Sequence, residues 1–332
     1  MPAEGIMNNP ILSRRRFIAI TACAAVTLPG SAQAAELPRV RWLGKALGAK
    51  AEIVLQHPDQ GLAQQALAEA LAELERLEAI LSVYRPDSAL SRLNRDGHLV
   101  APPADLVRAF GEAANLSRLS DGAFDVTVQP VWALYAGSLR RTGRYPSADD
   151  IATARRLVDW RGVSVSPERI AFAVAGMAAT LNGLGQGYIT DRVSELLKRK
   201  GFANVLVDLG EPRVLGPRAD GTGWPVAIRD PMLRGIALHR FELKDGAMAT
   251  TEAQGMSFPG FGRYGHLIEP GTGRPALGVP SVTVLAPSAS LADGLATAIA
   301  VAGADRAPAI LAAAGVGRAI LVSVDNTLTT IG

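Results

Sequence analysis

Gly183-Leu184-Gly185-Gln186-Gly187-Tyr188 opens a helical stretch that runs to Lys200, and the apolar strand Asn204–Asp208 follows it. Two fold classes compete for this unit. A doubly wound nucleotide-binding sheet requires Gly-x-Gly-x-x-Gly after its first strand and an acidic residue about 20 positions on. Asp208 stands 23 residues beyond Gly185, but the third glycine is out of place. Downstream, strands are expected near Pro225–Arg229, Ile236–Leu243, Tyr264–Glu269 and Ser281–Ala286. Helices Ser290–Ala302 and Ala307–Ala314 come next, then a last strand, Ala319–Val324. Strands that crowd together rather than alternate with helices favour α+β.

Upstream, Ala49–Gln56 alternates like a strand, and Leu62–Leu81 carries apolar residues at 67, 70, 71, 74, 77 and 81, one helical face. That pattern lasts under three heptads, so it is read as core packing rather than a coiled coil. Turn signals at Arg85-Pro86-Asp87 and Arg95-Asp96-Gly97 precede a helix over Ala104–Leu119, ended by Asp121-Gly122. Gly122-Ala123-Phe124-Asp125 then leads into an expected Val/Thr-rich strand. A polar stretch over Gly137–Asp150, a short helix and a strand pair around Val163–Val174 complete this half.

The chain has 332 residues, 48% apolar and 20% charged, enough to bury a large core. Disorder and a disulfide-stapled miniprotein are excluded. Its formal charge is +3, but residues 1–34 hold Arg14, Arg15 and Arg16 against Glu4 alone, which leaves 31 basic and 30 acidic residues beyond them. Such a balance gives no reason to expect nucleic-acid binding. The run Lys198-Arg199-Lys200 reads as a basic helix C-terminus.

Ser13-Arg14-Arg15-Arg16-Phe17-Ile18, an apolar run to Leu28, Pro29-Gly30 and Ala32-Gln33-Ala34 have the form of a twin-arginine secretory signal. The run is too short and polar for an anchor, which needs about 20 apolar residues. Residues 1–34 are therefore expected to be removed, leaving 35–332 as a periplasmic protein delivered by the twin-arginine translocase. The sole cysteine, Cys23, would leave with the signal, and with it thiolate chemistry. The twin-arginine route carries folded proteins, often around a cofactor.

Several common sites are absent. His57, His98, His239 and His266 are too dispersed for a paired-histidine metal helix, and no Gly-x-Ser-x-Gly nucleophile elbow occurs. The glycine turn at 183–187 either presents amides to a phosphate or permits close helix packing. Asp293 and Thr297, four apart on one helix, either share a hard cation or act as a dipole-favoured acid and a self-bonded hydroxyl. His266-Leu267-Ile268-Glu269-Pro270-Gly271-Thr272-Gly273 ends a strand in a glycine turn that has an ordinary structural reading.

Taken in order, these segments resemble the ApbE family, the FAD:protein FMN transferases. The resemblance runs through Gly44–Ala49, Leu81-Ser82-Val83-Tyr84 with Ser88 and Leu93-Asn94, Gly122–Asp125, Gly183–Tyr188 with Asp191, and Val207-Asp208-Leu209-Gly210. It continues in Ala249-Thr250-Thr251, His266–Gly273, Ser281–Val284, Ala292-Asp293 and Thr297-Ala298. It implies a T-fold-like α+β fold, two-lobed, with mixed sheets and flanking helices around a flavin cleft. It also implies FAD with Mg²⁺ at its pyrophosphate, and transfer of FMN to a Thr or Ser of another protein with release of AMP.

Residue by residue, the resemblance implies flavin contacts at Tyr84, Ala123, Phe124 and Asp125, and cofactor contacts at Thr180, Gln186 and His266. Gly183 would be a main-chain metal ligand, and Asp293 and Thr297 side-chain ones. His266 is also the candidate general base. Departures from the family pattern are Thr180 for Asp, Asn182 for Gly, Gln186 for Lys, Gly265 for His, Glu269 for Asp, and Ala296 where some members place Asp. With Val207–Glu211 they look most like the NosX branch, associated with nitrous oxide reductase maturation. That branch implies a membrane-bound NosR-like acceptor. A non-catalytic FAD carrier and an exported nicotinamide oxidoreductase are the alternatives.

Overall fold

The structure is a computed structural model describing residues 37–231, 236–253 and 265–332. The signal segment with Cys23, and Tyr264, lie outside the described residues. The chain opens on a hairpin of β1 (Arg39–Ala46) and β2 (Ala49–Gln56). Its turn residues Leu47 and Gly48 both take positive φ, 45° and 89°. Then come α1 (Gln60–Leu81), α2 (Ala89–Asp96), β3 (His98–Val100) and α3 (Ala104–Leu119), followed by α4 (Gln129–Thr142) and α5 (Ala148–Arg155). β4 (Val163–Val165), β5 (Arg169–Phe172), α6 (Gly185–Arg199), β6 (Val205–Asp208) and β7 (Pro212–Leu215) lead into the strand-rich half. That half contains β8 (Trp224–Arg229), β9 (Ala237–Leu243), β10 (Gly246–Glu252), β11 (Ile268–Glu269), β12 (Arg274–Pro275) and β13 (Ser281–Ala286). α7 (Ala289–Ala302), α8 (Ala307–Ala314), β14 (Arg318–Val322) and β15 (Leu328–Ile331) close the chain.

An eight-stranded sheet in the order β1-β2-β6-β7-β10-β13-β14-β15 is the frame. Each strand pairing is antiparallel, in this sheet and in the three small ones, where mixed sheets had been expected. The reason lies in the connections. β6 and β7 join through a tight turn, and the helices return the chain to antiparallel neighbours rather than completing parallel crossovers. The α+β class stands.

One face of the sheet carries the large core. Helix α1 starts at Asp59, whose Oδ1 accepts the Leu62 N–H at 2.9 Å. It buries Leu67, Ala70, Leu74, Leu77 and Leu81 of the face its spacing predicts, with Leu71 partly buried and Ala63, Ala66 and Ile80 added to it. Tyr188, Ile189, Val193 and Leu197 of α6 and Leu295, Ala296, Ala298 and Ile299 of α7 complete this layer. On the opposite face the β8–β9 hairpin covers Val54, Val214 and Met248 with Trp224, Val226 and Leu243. A third cluster joins Val131, Tyr135 and Leu139 of α4 to Ile268 of β11.

The strand expected after Asp125 is instead a short 3-10 turn over Val126–Val128 running into α4. Asp125 Oδ1 accepts from the Thr127 N–H at 2.7 Å, and Pro130 falls in the first helical turn, where its missing N–H costs nothing. Local capping overrides the β-propensity of two valines and a threonine. The stretch Gly137–Asp150 accordingly holds the end of α4 and the start of α5. α2, capped by Ser88 and closed by Gly97 at φ 72°, occupies the space between the two predicted turns.

Candidate active site

Most of the expected site residues converge on one cleft of about 290 Å³. It lies where the large core meets the α4–β11 cluster. Ala123, Phe124, Asp125, Thr180, Gly183, Gln186, His266, Asp293 and Thr297 all line it. Tyr84 does not. Its ring is 58% exposed at the rim, and its hydroxyl accepts from Asn182 Nδ2 at 2.9 Å, so the wall residue Asn182 links Tyr84 to the cleft.

The glycine turn permits close helix packing and also borders the cleft. A Cβ on Gly187 would meet the Ala289 carbonyl oxygen at 2.3 Å, so this glycine lets α6 pack backbone to backbone on α7. A Cβ on Gly183 would instead meet Phe124 Cε2 at 3.0 Å and Thr297 Cγ2 at 3.1 Å. Gly183 therefore brings its main chain against Thr297 at the cleft wall.

Helix α7 is fixed from outside itself. Asp191 of α6 accepts from the Ala289 and Ser290 N–H groups at 2.8 and 2.9 Å, and Arg213 donates to it at 2.5 Å. A carboxylate at the positive end of α7 is favoured by the helix dipole. Asp293 and Thr297 follow on one face. Each has a partner outside its own helix. Asp293 Oδ2 accepts the Gly187 N–H at 3.1 Å, and Thr297 Oγ1 lies 3.2 Å from Thr251 Oγ1 on β10. Burial pushes the Asp293 carboxyl up to about 7; the Gly187 N–H opposes that rise and the nearby Asp191 charge adds to it.

Asp125 is committed to the fold as well as to the cleft. One oxygen accepts from the Thr127 N–H and hydroxyl at 2.7 and 2.6 Å, and the other from the Trp160 N–H at 3.1 Å. Burial raises its pKa above the usual carboxylate range despite those donors. A residue expected to contact flavin is thus also a cap of the fold. Thr180 accepts the Asn182 N–H at 3.2 Å and donates its own N–H to the Val126 carbonyl at 2.8 Å, holding the loop before α6.

Several wall residues carried no individual assignment in the sequence: Trp132, Asn182, Glu211, Thr250, Thr251 and Glu252. Thr250 and Thr251 belong to a quoted motif, but only the β10 register aims them here. Nothing local marks Trp132, which sits on α4, where the sequence reading had expected a Val/Thr-rich strand followed by a polar stretch over Gly137–Asp150. A second cleft of about 510 Å³ lies beside the first and shares Glu211, Thr250 and Glu252 with it.

The first cleft contains four carboxylates, Asp125, Glu211, Glu252 and Asp293, and among the described residues no Lys or Arg lines it. A cation entering with an anionic phosphate would offset the repulsion from those of these carboxyls that are ionised. Two observations suit a hard divalent ion: the Asp293 carboxylate and Thr297 hydroxyl are oxygen donors lining one cleft, and the Gly183 main chain is brought against Thr297. No three His, Cys, Asp or Glu side chains gather to hold a metal among the described residues, so hydroxyl and main-chain oxygens must complete such a set.

A family model of the ApbE family matches residues 47–321. The FAD:protein FMN transferase of Vibrio cholerae is 32% identical over 262 residues, covering 76% of this chain and 78% of that protein. The Haemophilus influenzae FAD:protein FMN transferase is 29% identical over 272 residues, 78% of this chain and 79% of that one. Among solved structures, the Vibrio cholerae flavin transferase ApbE superposes with a TM-score of 0.77 at 28% identity, covering 88% of this chain and 96% of that one. The apo form of the Pseudomonas stutzeri flavinyl transferase ApbE gives a TM-score of 0.76 at 30% identity, with coverage of 88% and 94%.

Proposed function

Because this chain belongs to the ApbE family, we propose that it is an FAD:protein FMN transferase acting on a hydroxyl of a second protein. The observation that carries the proposal is the convergence of Gly183, Asp293 and Thr297 beside the buried aromatic Phe124 in a cleft without Lys or Arg among its described walls. Phe124 and Trp132 supply flat apolar surface for a flavin, while the acidic end suits a phosphoanhydride only when a cation accompanies it.

Mg²⁺, when bound by Asp293, Thr297 and the Gly183 carbonyl, supplies charge stabilisation for the pyrophosphate. The residues of the chain do the rest. Phe124 and Trp132 orient the flavin, and Gly183 admits the phosphate region close to the main chain. The acceptor oxygen bonds to the FMN phosphorus as the bond to the AMP oxygen breaks, so AMP leaves with the electron pair. The hydroxyl proton passes to His266, which lines the same cleft. The second cleft, sharing Glu211, Thr250 and Glu252 with the first, gives the acceptor polypeptide a route of approach.

The acceptor is proposed to be a membrane-bound NosR-like flavoprotein, and the chain a periplasmic NosX-type member exported through the twin-arginine translocase. Gln186, in place of a lysine, keeps one other reading open, a carrier that binds FAD without transferring it. Incubation of the purified protein with FAD, Mg²⁺ and a NosR-like acceptor, followed by a denaturing gel, tests these readings. Covalent flavin fluorescence on the acceptor is the expected result; bound FAD with an acceptor that stays dark would establish the carrier. Export is tested separately by Arg14→Lys with Arg15→Lys, which should retain the protein in the cytoplasm.

A further inference from the structure

Asp191 belongs to the motif around the glycine turn of α6, yet it lines neither cleft and takes no part in the transfer scheme. It follows Gly187 by four residues on α6, as Asp293 follows Ala289 by four on α7. The two helices therefore meet at two rungs. At one, the Gly187 N–H donates to Asp293 Oδ2 at 3.1 Å. At the other, Asp191 accepts from the Ala289 and Ser290 N–H groups at 2.8 and 2.9 Å. Donor and acceptor change helices between the rungs, so a slide or a turn of α7 along α6 must break one of them.

The first N–H groups of α7 are taken up within the protein. Asp191 holds two, the Ser288 hydroxyl accepts that of Leu291 at 3.4 Å, and the Ser288 carbonyl that of Ala292 at 3.1 Å. The Ser290 hydroxyl adds a bond to Glu112 of α3. This helix start is a point of attachment rather than a phosphate site. Arg213 carries the attachment to the sheet: it lies on β7, opposite Val207 of β6 and Ala247 of β10, and donates to Asp191 Oδ1 at 2.5 Å. Both side chains are largely buried. Further along α7, Thr297 Oγ1 lies 3.2 Å from Thr251 Oγ1 of β10. Helix α7 is thus tied to one sheet on both sides of Asp293, at Ala289 through Asp191 and Arg213, and at Thr297 directly.

We propose that Asp191 and Arg213 are positioning residues for the transfer reaction, fixing the axial place and rotation of α7 so that the Asp293 carboxylate and the Thr297 hydroxyl meet one cation. This rests on the transferase reading for the metal role of those two ligands. Mg²⁺ demands near-ideal octahedral geometry at about 2.1 Å, so a helix shift that an apolar core absorbs is felt at the ion. Removing Arg213 would leave a buried carboxylate facing main-chain donors alone, and a misplacement of about 1 Å arising far from the chemistry can cost about a hundredfold in rate.

Mn²⁺ binding, read by spin resonance with FAD present and no acceptor, tests the proposal apart from turnover. Asp191→Asn offers one acceptor oxygen in place of two and sets its amide N–H₂ against a main-chain N–H; it should raise the Mn²⁺ dissociation constant about tenfold. Arg213→Gln should raise it about threefold or more, and Arg213→Lys, which restores a charged donor, should recover most of that loss. Affinity for FAD without metal should stay within about twofold, because Phe124 and Trp132 lie on other elements. Arg213→Gln covers the case in which Asp191→Asn fails to fold. A lowered melting temperature with Mn²⁺ affinity unchanged in the folded variants would make the pair merely structural and overturn the proposal. So would Arg213→Lys binding no better than Arg213→Gln, or a parent that binds no Mn²⁺. The transferase reading stands or falls separately, on the acceptor's covalent fluorescence: an acceptor that stays dark while these affinity shifts appear would sink transfer and keep the positioning role.

Discussion

The main-chain N–H of Gly187, at the start of α6, donates to Asp293 Oδ2 at 3.1 Å, which ties the first turn of one helix to a carboxylate on the next. The glycine whose missing side chain allows the two helices to touch is also the donor that orients the proposed metal ligand. Position and chemistry at Asp293 are therefore coupled.

Asp293→Asn should separate them. An asparagine can still accept the Gly187 N–H, so the melting temperature in chelator should change little. Removing the anionic ligand should slow FMN transfer about a hundredfold or more, taking a loss of ~3 kcal/mol from the several that a metal contributes to phosphate charge stabilisation. Thr297→Val should act in the same direction with smaller effect. Transfer assayed across a Mg²⁺ series is the measurement, and an unaltered Mg²⁺ dependence in Asp293→Asn would remove it from the ligand set.

Gly187→Ala should destabilise the protein although alanine is the better helix former by about 1 kcal/mol. The added Cβ would lie 2.3 Å from the Ala289 carbonyl oxygen, a backbone atom that cannot swing aside. Overpacking of this kind costs about 1–3 kcal/mol, so the clash wins. Denaturant unfolding should show a lowered midpoint, and transfer should fall with it because α7 carries Asp293. A midpoint equal to or above the parent's would show that the helices can part without penalty.

Phe124→Leu should weaken FAD binding. Phe124 is buried, lies against Gly183 and lines the cleft, and leucine keeps the apolar character while losing the flat face. Equilibrium titration with FAD should show a dissociation constant raised about tenfold, equivalent to ~1.4 kcal/mol. Unchanged affinity would assign Phe124 to packing alone.

Acid stability should depend on Asp105. Burial disfavours its charge, but hydrogen bonds from Arg76 at 2.6 Å, Tyr188 at 2.8 Å and Arg108 at 3.0 Å outweigh that and hold its pKa below the usual carboxylate value. A depressed native pKa contributes stability above the unfolded value of about 3.9, and that stability is lost as pH falls through the native pKa. The network joins α3 to α1 and α6. Asp105→Asn should therefore cost about 1–3 kcal/mol at neutral pH, the scale for weakening hydrogen bonds to a charged group whose arginine partners are half exposed, and should flatten the loss of stability below pH ~4. Denaturant midpoints at pH 7 and in the acid range would check it; parallel curves for parent and variant would count against the network.

Periodicity made much of the frame legible. The stripe of α1, the helix Ala104–Leu119, the strand Ser281–Ala286 and the helix Ala307–Ala314 appear where apolar spacing places them, because each buries one face against a common core. α4 was missed because the capping of Asp125 and the position of Pro130 decide it, and neither registers in β-propensity. The β14–β15 hairpin at the sheet edge was missed in part for a similar reason: β15 is largely exposed and carries little apolar pattern.

Spacing in the sequence was enough to bring Asp293 and Thr297 onto one helical face, and the resemblance to the ApbE family marked Gly183, Phe124 and His266 as members of ordered motifs. Only tertiary structure could decide that Asp293 bonds to Gly187, 106 positions away, that Thr297 meets Thr251, and that Glu211 faces the same acidic cleft while Tyr84 stands at its rim. The physical reason is range. Helical spacing and caps act over a few residues and can be read along the chain, whereas the charge around a buried carboxylate is set by whichever distant strands and turns pack against it.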